Sequence, residues 1–303
     1  MKRAIIAALA TIWMSSGAFA ADIGVAMANS ENFLVIVRNA MEAEAAKHSD
    51  AHVQYLDAEN DALKQIDQVQ NLISQHVDAI IVNPVDSSFS PQMTKLATEA
   101  KIPLVYVNRA PAEKELPKNV VFVGSDEHFS GAMQIKEIAR MLGNKGNVAI
   151  LQGDIGTVPG VLRTEKVEEY IKTQPEMKVV FKDAANFLRT PAKDVVTTWL
   201  TLGERIDAIA ANNDEMAIGA IIALEEAGID PKTVLIGGID ATPDALDMMK
   251  QGKLAVTVFQ DAAGQGRGSM DAAIKMAAGQ NVDSFVWIPF QLVTRDNMSK
   301  YTQ

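Results

Sequence analysis

The sequence predicts an α/β fold made of two similar lobes, each built around a parallel sheet. From residue 22 onward, short apolar runs bounded by turn residues alternate with segments of helical period, which is typical of strand–helix repeats around parallel sheets. The segments Val77–Ile81 (VDAII) and Ile206–Ala210 (IDAIA) match, which indicates two related halves. The length of 303 residues also suits two domains of roughly 150 residues each.

Each strand is predicted from a short apolar run between turn residues, and each helix from apolar residues three and four positions apart. The predicted strands are Ile23–Met27, Val53–Leu56, Ala79–Val82, Leu104–Val107, Val120–Val123, Val148–Leu151, Val179–Phe181, Ala208–Ala210, Val234–Ile236 and Val256–Phe259. The predicted helices are Phe33–Lys47, Leu63–Gln75, Pro91–Ala100, Lys166–Lys172, Glu215–Ala227, Thr242–Gln251 and Gly268–Ala278. The two matched segments each lead into an Asn-containing turn at the carboxyl end of a strand, where open α/β sheets place their ligands.

Composition excludes several classes of protein. The chain has no cysteine, which removes disulfides, cysteine nucleophiles and thiolate zinc sites. Its net charge of −10 opposes a nucleic-acid partner. The four histidines lack metal-ligand spacing, and the glycine run 264–268 departs from the dinucleotide fingerprint at Ser269. We therefore predict no metal and no cofactor, and interpret the glycine run as close backbone packing at a hinge.

The first twenty residues are predicted to be a secretory signal peptide. Lys2 and Arg3 precede an apolar run, and small residues stand at Ala18 and Ala20, where signal peptidase reads the chain. The run of about eleven apolar residues is shorter than the roughly twenty that a membrane span needs. We expect cleavage after Ala20 and export to a bacterial periplasm, with a short membrane anchor as the alternative.

Planar polar side chains recur where predicted strands end. The set comprises Asn108, Arg109, Asn213, Asp214, Asp240 and Gln260. Together with Arg163, they supply the two-pronged donors and acceptors that hold the neighbouring hydroxyls of a neutral polyol. Phe33 and Phe187 are placed where a ring could lie against them. Each residue alone is as consistent with a strand-end cap as with a ligand contact.

These residues lie in stretches that resemble the periplasmic substrate-binding proteins of ABC importers, of the ribose- and galactose-binding (type I) class, and most of all the myo-inositol-binding members. The stretches are 77–86 (VDAIIVNPVD), 102–109 (IPLVYVNR), 212–220 (NNDEMAIGA), 238–242 (GIDAT) and 256–266 (VTVFQDAAGQG).

The resemblance implies two doubly wound parallel-sheet lobes joined by a three-crossover hinge, with crossovers near Ser125–Glu127, Gln260–Ala262 and Ile288–Phe290. Residues 21–125 plus about 261–289 would form the N-terminal lobe, and residues 126–260 plus about 290–303 the C-terminal lobe. It also implies a monomer that closes on its ligand and delivers it to an ABC permease in the inner membrane, and a chemoreceptor is a compatible further partner.

The resemblance further implies that Arg109, Arg163, Asn213, Asp240 and Gln260 bind hydroxyls and that Phe33 and Phe187 enclose the ring. Four residues of this sequence differ from those common in the family, and these differences affect which ligand can be bound. They are Asn108 where relatives have Asp, Glu31 where they have Asn, Leu34 where they have Phe, and Phe187 where they have Trp. Ribose, xylose or galactose therefore remain alternatives to a cyclitol. Two other classes of protein are further alternatives. An exported enzyme that acts on sugars would need a pair of catalytic carboxylates. A transcription regulator would need a DNA-binding headpiece of about 60 residues before the first strand.

Overall fold

The protein contains two six-stranded sheets in the residues that the structure, a computed structural model, describes, which are 21–48 and 51–301. The predicted signal peptide and its cleavage site lie outside these residues. The predicted α/β class with two doubly wound lobes is confirmed. In the described ranges, no helix combines the length and the apolar character that crossing a membrane requires.

The strands are β1 (Ala21–Met27), β2 (Ala51–Asp57), β3 (Ala79–Val82), β4 (Leu104–Val107), β5 (Val120–Gly124), β6 (Lys145–Gln152), β7 (Glu176–Ala184), β8 (Ala208–Ala211), β9 (Leu235–Gly237), β10 (Val256–Phe259), β11 (Phe285–Trp287) and β12 (Gln291–Thr294). The helices are α1 (Asn32–Ala45), α2 (Ala62–Ser74), α3 (Ser90–Ala100), α4 (Glu127–Leu142), α5 (Val158–Lys172), α6 (Arg189–Leu202), α7 (Asp214–Glu226), α8 (Pro243–Lys250) and α9 (Ala262–Ala277).

The two sheets share one strand order. It is β2-β1-β3-β4-β5-β11 in the first sheet and β7-β6-β8-β9-β10-β12 in the second. The matched segments of the sequence enter β3 and β8, which hold the same place in the two orders. Every strand pair in the described residues is parallel except β10 with β12, so the second sheet departs from the wholly parallel arrangement that we predict.

The central strands are buried on both faces, which explains their uninterrupted apolar runs. Every residue of β3, β4 and β8 is buried. Helices cover both faces of each sheet, so the carboxyl ends of the strands are left as the place where polar side chains can meet. The order reverses at β1 in one sheet and at β6 in the other.

The chain passes between the sheets three times. It leaves the first sheet after β5, returns to it after β10, and leaves it again between β11 and β12. These passages fall at 125–126, 260–261 and 288–290. How much of the chain moves with each lobe stays a prediction.

Two glycines bring neighbouring helices into backbone contact. A Cβ at Gly266 of α9 would lie 2.2 Å from the carbonyl oxygen of Val37 in α1. A Cβ at Gly131 of α4 would lie 2.3 Å from the carbonyl oxygen of Arg163 in α5. Neither distance is compatible with a side chain, so these two helix pairs pack more closely than alanine would allow. Within the glycine run 264–268, Gly266 is therefore the residue that allows close helix packing, inside α9.

Four elements are absent from the sequence prediction. The buried face of α4 carries Ser130, Gly131 and Gln134, so its apolar stripe is broken. The helix α6 contains β-branched residues, which favour strands, and its Thr197 and Thr198 hydroxyls bond carbonyls one turn back. The strands β11 and β12 lie at sheet edges, where most of their residues are half-buried or exposed.

Candidate ligand-binding site

A cavity lies between the two sheets, at the carboxyl ends of their strands. The first lobe lines it with Glu31, Phe33, Leu34, Asn108 and Arg109, and the second with Pro159, Arg163, Phe187, Asn213, Asp240 and Gln260. Eight of the nine polar and aromatic residues that the sequence analysis brings together are among them, and so is Glu31, which is also predicted to contact the ligand; Asp214 is the exception. Pro159 is an addition that the sequence does not indicate.

Three lining residues have a left-handed backbone. The φ angles are 64° at Asn108, 65° at Phe187 and 127° at Asp240. Asn and Asp tolerate this region better than other non-glycine residues, whereas Phe rarely adopts it. Strained backbone of this kind persists where the surrounding structure holds it, commonly at ligand sites. The strand ends therefore turn sharply at these points, in the wall of the cavity.

Arg109 is the main donor that faces the cavity. It is buried, and its Nη1 donates to the carbonyl oxygens of Pro84 at 3.0 Å and Val85 at 3.3 Å. Its Nε and Nη2 hydrogens have no partner among the described residues, so three N–H groups are available to a ligand. Burial lowers the pKa of Arg109, which Glu31 and Asp154 oppose by their charge. An arginine stays protonated nonetheless.

Arg163 is largely occupied by the protein. Its Nε and Nη2 donate to the two carboxylate oxygens of Glu127 at 2.8 and 2.7 Å. Its Nη1 donates to the carbonyl of Asn212 at 2.7 Å, and Nη2 also donates to Oε1 of Gln260 at 3.2 Å. Four of its five N–H groups are thus used, and one on Nη1 remains. Arg163 is a narrower donor than the two-pronged group expected from the sequence.

Two carboxylates face the cavity without a hydrogen bond from the described protein groups. Asp240 is buried, and the nearest cation is Nη1 of Arg163, 3.9 Å from its Oδ1. Burial raises the pKa of Asp240 well above its ordinary value, against the opposing charge of Arg163. Burial also raises the pKa of Glu31 to about 7, although Arg109 acts to lower it. Asp240 thus lacks the partner that a buried acid requires, and the partly exposed Glu31 has no hydrogen-bond donor among the described residues either.

The amides differ in how free they are. The Nε2 of Gln260 is buried and has no partner, so it is an open donor. The amide of Asn213 caps α7 through Oδ1 and donates to the carbonyl of Phe187 at 3.1 Å, which leaves one hydrogen. Asn108 donates to Gln265 at 3.0 Å and accepts from Asn83 at 3.3 Å. Asn108 and Asn213 are therefore held mainly by the protein.

Asp214, which the sequence groups with Asn213, does not line the cavity. Its carboxylate accepts from the backbone N–H of Thr242 at 2.8 Å and from the hydroxyl of Thr257 at 2.7 Å. It joins the start of α7 to the loop after β9 and the strand β10. Burial raises its pKa to about 7, with these hydrogen bonds opposing. Its role is structural.

The aromatic walls come from both lobes. Phe33 stands at the start of α1, and Phe187 stands in the loop after β7. The guanidinium carbons of Arg109 and Arg163 lie 5.8 and 6.0 Å from the ring centroid of Phe187. Phe187 thus contacts a cation from each lobe, which fixes the ring beside the main polar groups of the cavity.

The lobes also touch at the rim of the cavity. The Nδ2 of Asn32 donates to Oε1 of Glu215 at 3.0 Å, and the backbone N–H of Ser87 donates to the carbonyl of Gly156 at 2.9 Å. Each bond joins a helix or loop of the first lobe to one of the second, so the cleft is closed. Across the described part of the chain, no group of three or more His, Cys, Asp or Glu side chains could hold a metal ion.

Glu127 is the residue of the site that sequence reasoning missed. It does not line the cavity, but it holds Arg163 from the first turn of α4. The only signal in the sequence is its place directly after the first crossover, which marks it as part of the hinge rather than of the site.

Glu31 gives a testable pH dependence of stability. The pKa of Glu31 in the folded protein is raised from its usual 4.5 to about 7. The contribution of Glu31 to folding stability is therefore fully present below pH 4.5 and is lost as the pH rises through 7. For this partly exposed side chain we expect a loss of about 1–2 kcal/mol. Glu31→Gln should flatten the decline in the unfolding temperature of the unliganded protein between pH 5 and 8. Parallel curves for the variant and the wild type would contradict the assignment.

The sequence matches the model of the periplasmic binding protein domain over residues 23–281. The chain belongs to the periplasmic binding protein family. A relative from Rhizobium meliloti, described as a putative rhizopine-binding protein, is 44% identical over 99% of both chains. Members of this family are substrate-binding proteins and not enzymes, and the family is periplasmic.

Solved structures of the family share this fold with bound ligands in place. A solute-binding protein of an ABC transporter from Bacillus halodurans, with bound myo-inositol, superimposes on this binding protein with a TM-score of 0.91 and 41% identity, covering 95% of this chain and 99% of the other. The Caulobacter myo-inositol binding protein bound to myo-inositol gives a TM-score of 0.87 and 30% identity, covering 93% and 96%. The recognition of the family from the sequence is thus confirmed.

Proposed function

We propose that this binding protein captures myo-inositol or a related cyclitol in the cavity between its lobes and delivers it to the permease of an ABC importer. The observation that carries the proposal is the set of polar groups in the cavity wall that keep hydrogens or acceptor oxygens unused by the protein. Arg109, Arg163 and Gln260 offer hydrogens, whereas Glu31 and Asp240 offer oxygens. Two relatives of the same fold hold myo-inositol, which supports the choice of ring.

A cyclitol matches this set in its chemistry. Each ring carbon carries a hydroxyl, which both donates and accepts, so donors and acceptors can surround the ring edge. The C–H faces of the ring are apolar and suit Phe33 and Phe187 on opposite lobes. The ligand is neutral, and the charges of the site serve to strengthen hydrogen bonds.

Capture would proceed by closure about the three crossings. We propose that residues 21–125 with about 261–289 move as one body, and residues 126–260 with about 290–303 as the other. The contacts of Asn32 with Glu215 and of Ser87 with Gly156 form only when the lobes approach. Closure brings one surface of each lobe into a fixed relation, which the permease can recognise.

The decisive experiment is a thermal-shift and calorimetric screen of the mature protein. The panel contains myo-inositol, its stereoisomers, rhizopine, ribose, xylose, galactose and glucose. We expect myo-inositol or an isomer to bind with a dissociation constant near micromolar, corresponding to roughly −8 kcal/mol. The same samples should return the ligand chemically unchanged, as a binding protein requires.

Other results of the screen would change the proposal. Rhizopine is the second candidate, because the 44% identical relative is described as a putative rhizopine-binding protein, and a shift with rhizopine alone would replace myo-inositol as the proposed ligand. A shift with pentoses and none with cyclitols would favour a sugar importer. We further propose cleavage after Ala20 and a monomer in solution, which mass spectrometry and light scattering of the exported protein would test. A chemoreceptor remains a proposed further partner.

A further inference from the structure

We propose that Glu127 is a positioning residue of the ligand site, which keeps the guanidinium of Arg163 away from Asp240 so that both can meet the ligand. The proposal rests on the proposed function, since it specifies how the same cavity is kept open to a polyol. Glu127 itself does not line the cavity, and it acts only through Arg163.

The ion pair is buried and two-pronged. The side chains of Arg163 and Glu127 are 4% and 2% exposed, and both carboxylate oxygens of Glu127 accept from the guanidinium, at 2.8 and 2.7 Å. The hydroxyl of Ser130 also donates to Oε2 of Glu127 at 2.7 Å. Such a planar pair fixes the rotation of the guanidinium as well as its position.

Asp240 competes for the same guanidinium. Its Oδ1 lies 3.9 Å from Nη1 of Arg163, and no protein group donates a hydrogen bond to its carboxylate in the described structure. A small rotation of Arg163 would form a direct Arg163–Asp240 pair. That pair would occupy one donor and one acceptor of the cavity before any ligand arrives. Glu127 prevents this by holding the edge of the guanidinium that carries Nε and Nη2.

The same guanidinium also links two of the three crossings. Glu127 begins α4 directly after the first crossing, and Gln260 follows β10 at the second. Both accept from Arg163, Gln260 through Oε1 at 3.2 Å. A ligand that binds the remaining N–H of Arg163 therefore contacts a guanidinium that is hydrogen-bonded to residues at both of these crossings.

The helix α4 has packing contacts besides this pair. Gly131 of α4 lies against the backbone carbonyl of Arg163, and Gln134 donates to the carbonyls of Ala211 and Gly238 at 2.7 and 3.0 Å. These contacts hold the helix in place when the charge of Glu127 is removed. Replacing Glu127 should therefore perturb the orientation of Arg163 more than the fold.

The test compares Glu127→Gln with the wild type by calorimetry, using whichever cyclitol or sugar the wild type binds and its single-deoxy analogues. We expect about a tenfold weaker affinity for the parent ligand. The loss of affinity caused by Glu127→Gln should be below about twofold for the analogue that lacks the hydroxyl facing Arg163 and Asp240. For the other analogues it should stay near tenfold. Glu137→Gln on the same helix, which breaks an ion pair with the exposed Arg140, should leave every affinity unchanged.

Two outcomes would overturn the inference. One is an equal loss of affinity for every analogue, which a general loss of structure would give. The other is no loss of affinity at all. If Glu127→Gln does not fold, Glu127→Asp takes its place, with the same analogue profile at a smaller penalty. Failure of the proposed function is distinct, because the wild type would then bind no member of the panel.

Discussion

Asp240→Asn is expected to weaken ligand binding at least about a hundredfold while the protein stays folded. The carboxylate is buried in the cavity wall without a protein hydrogen bond, so the ligand hydroxyls are its partners. Charge-assisted hydrogen bonds contribute about 1.5–3 kcal/mol each, and the amide keeps only one acceptor oxygen. Asn also tolerates the left-handed backbone at this position, where φ is 127°. Isothermal titration with the parent ligand measures the loss.

The matched control for this variant is Asp247→Asn. Asp247 is an exposed acid on α8 and lies outside the cavity, so the same chemical change there should leave the affinity unaltered. The unfolding temperature of Asp240→Asn without ligand should hold or rise, because a buried carboxyl of raised pKa has been removed. Affinity within a factor of three of the wild type would remove Asp240 from the proposed site.

Gly266→Ala should destabilise the protein by about 1–3 kcal/mol and weaken ligand binding with it. The added Cβ would meet the carbonyl oxygen of Val37 at 2.2 Å and push α9 away from α1. The helix α1 begins beside Phe33, so its displacement also moves one wall of the cavity. Denaturant unfolding gives the change in the free energy of unfolding, and calorimetry gives the change in affinity.

Gly268→Ala in the same helix separates packing from helix propensity. Its Cβ would lie 3.2 Å from a methyl group of Val123, a contact that a small side-chain shift relieves. Alanine is favoured over glycine in a helix by about 1 kcal/mol, so this variant should be near neutral. Equal destabilisation by the two substitutions would mean that the contact between α1 and α9 is not what Gly266 provides.

The fold could be predicted where burial leaves a continuous apolar run. The strands β3, β4 and β10 coincide with the predicted bounds, because each is an apolar run between turn residues. The helix α4 could not be found, since its buried face carries Gly131 and Gln134 in place of aliphatic residues. These residues are there for contacts with α5 and the second sheet, which no local pattern reveals.

The composition of the site could be predicted better than its internal bonding. Asn108, Arg109 and Gln260 directly follow strands, so topology places them at one cleft. How many of their hydrogens are already used depends on partners far along the chain, such as Glu127 for Arg163 and Gln265 for Asn108. Sequence reasoning therefore overestimated what Arg163 and Asn108 offer to a ligand.

The left-handed backbone at Asn108 and Asp240 limits how this site could be given a new specificity. At these positions a protein engineer can use only Asn, Asp or Gly without added strain, so shape and hydrophobicity cannot be varied there. Glu31, Leu34 and Pro159 line the same cavity with φ outside that region. A library confined to these three positions should retain folded variants far more often than one that includes the strained pair.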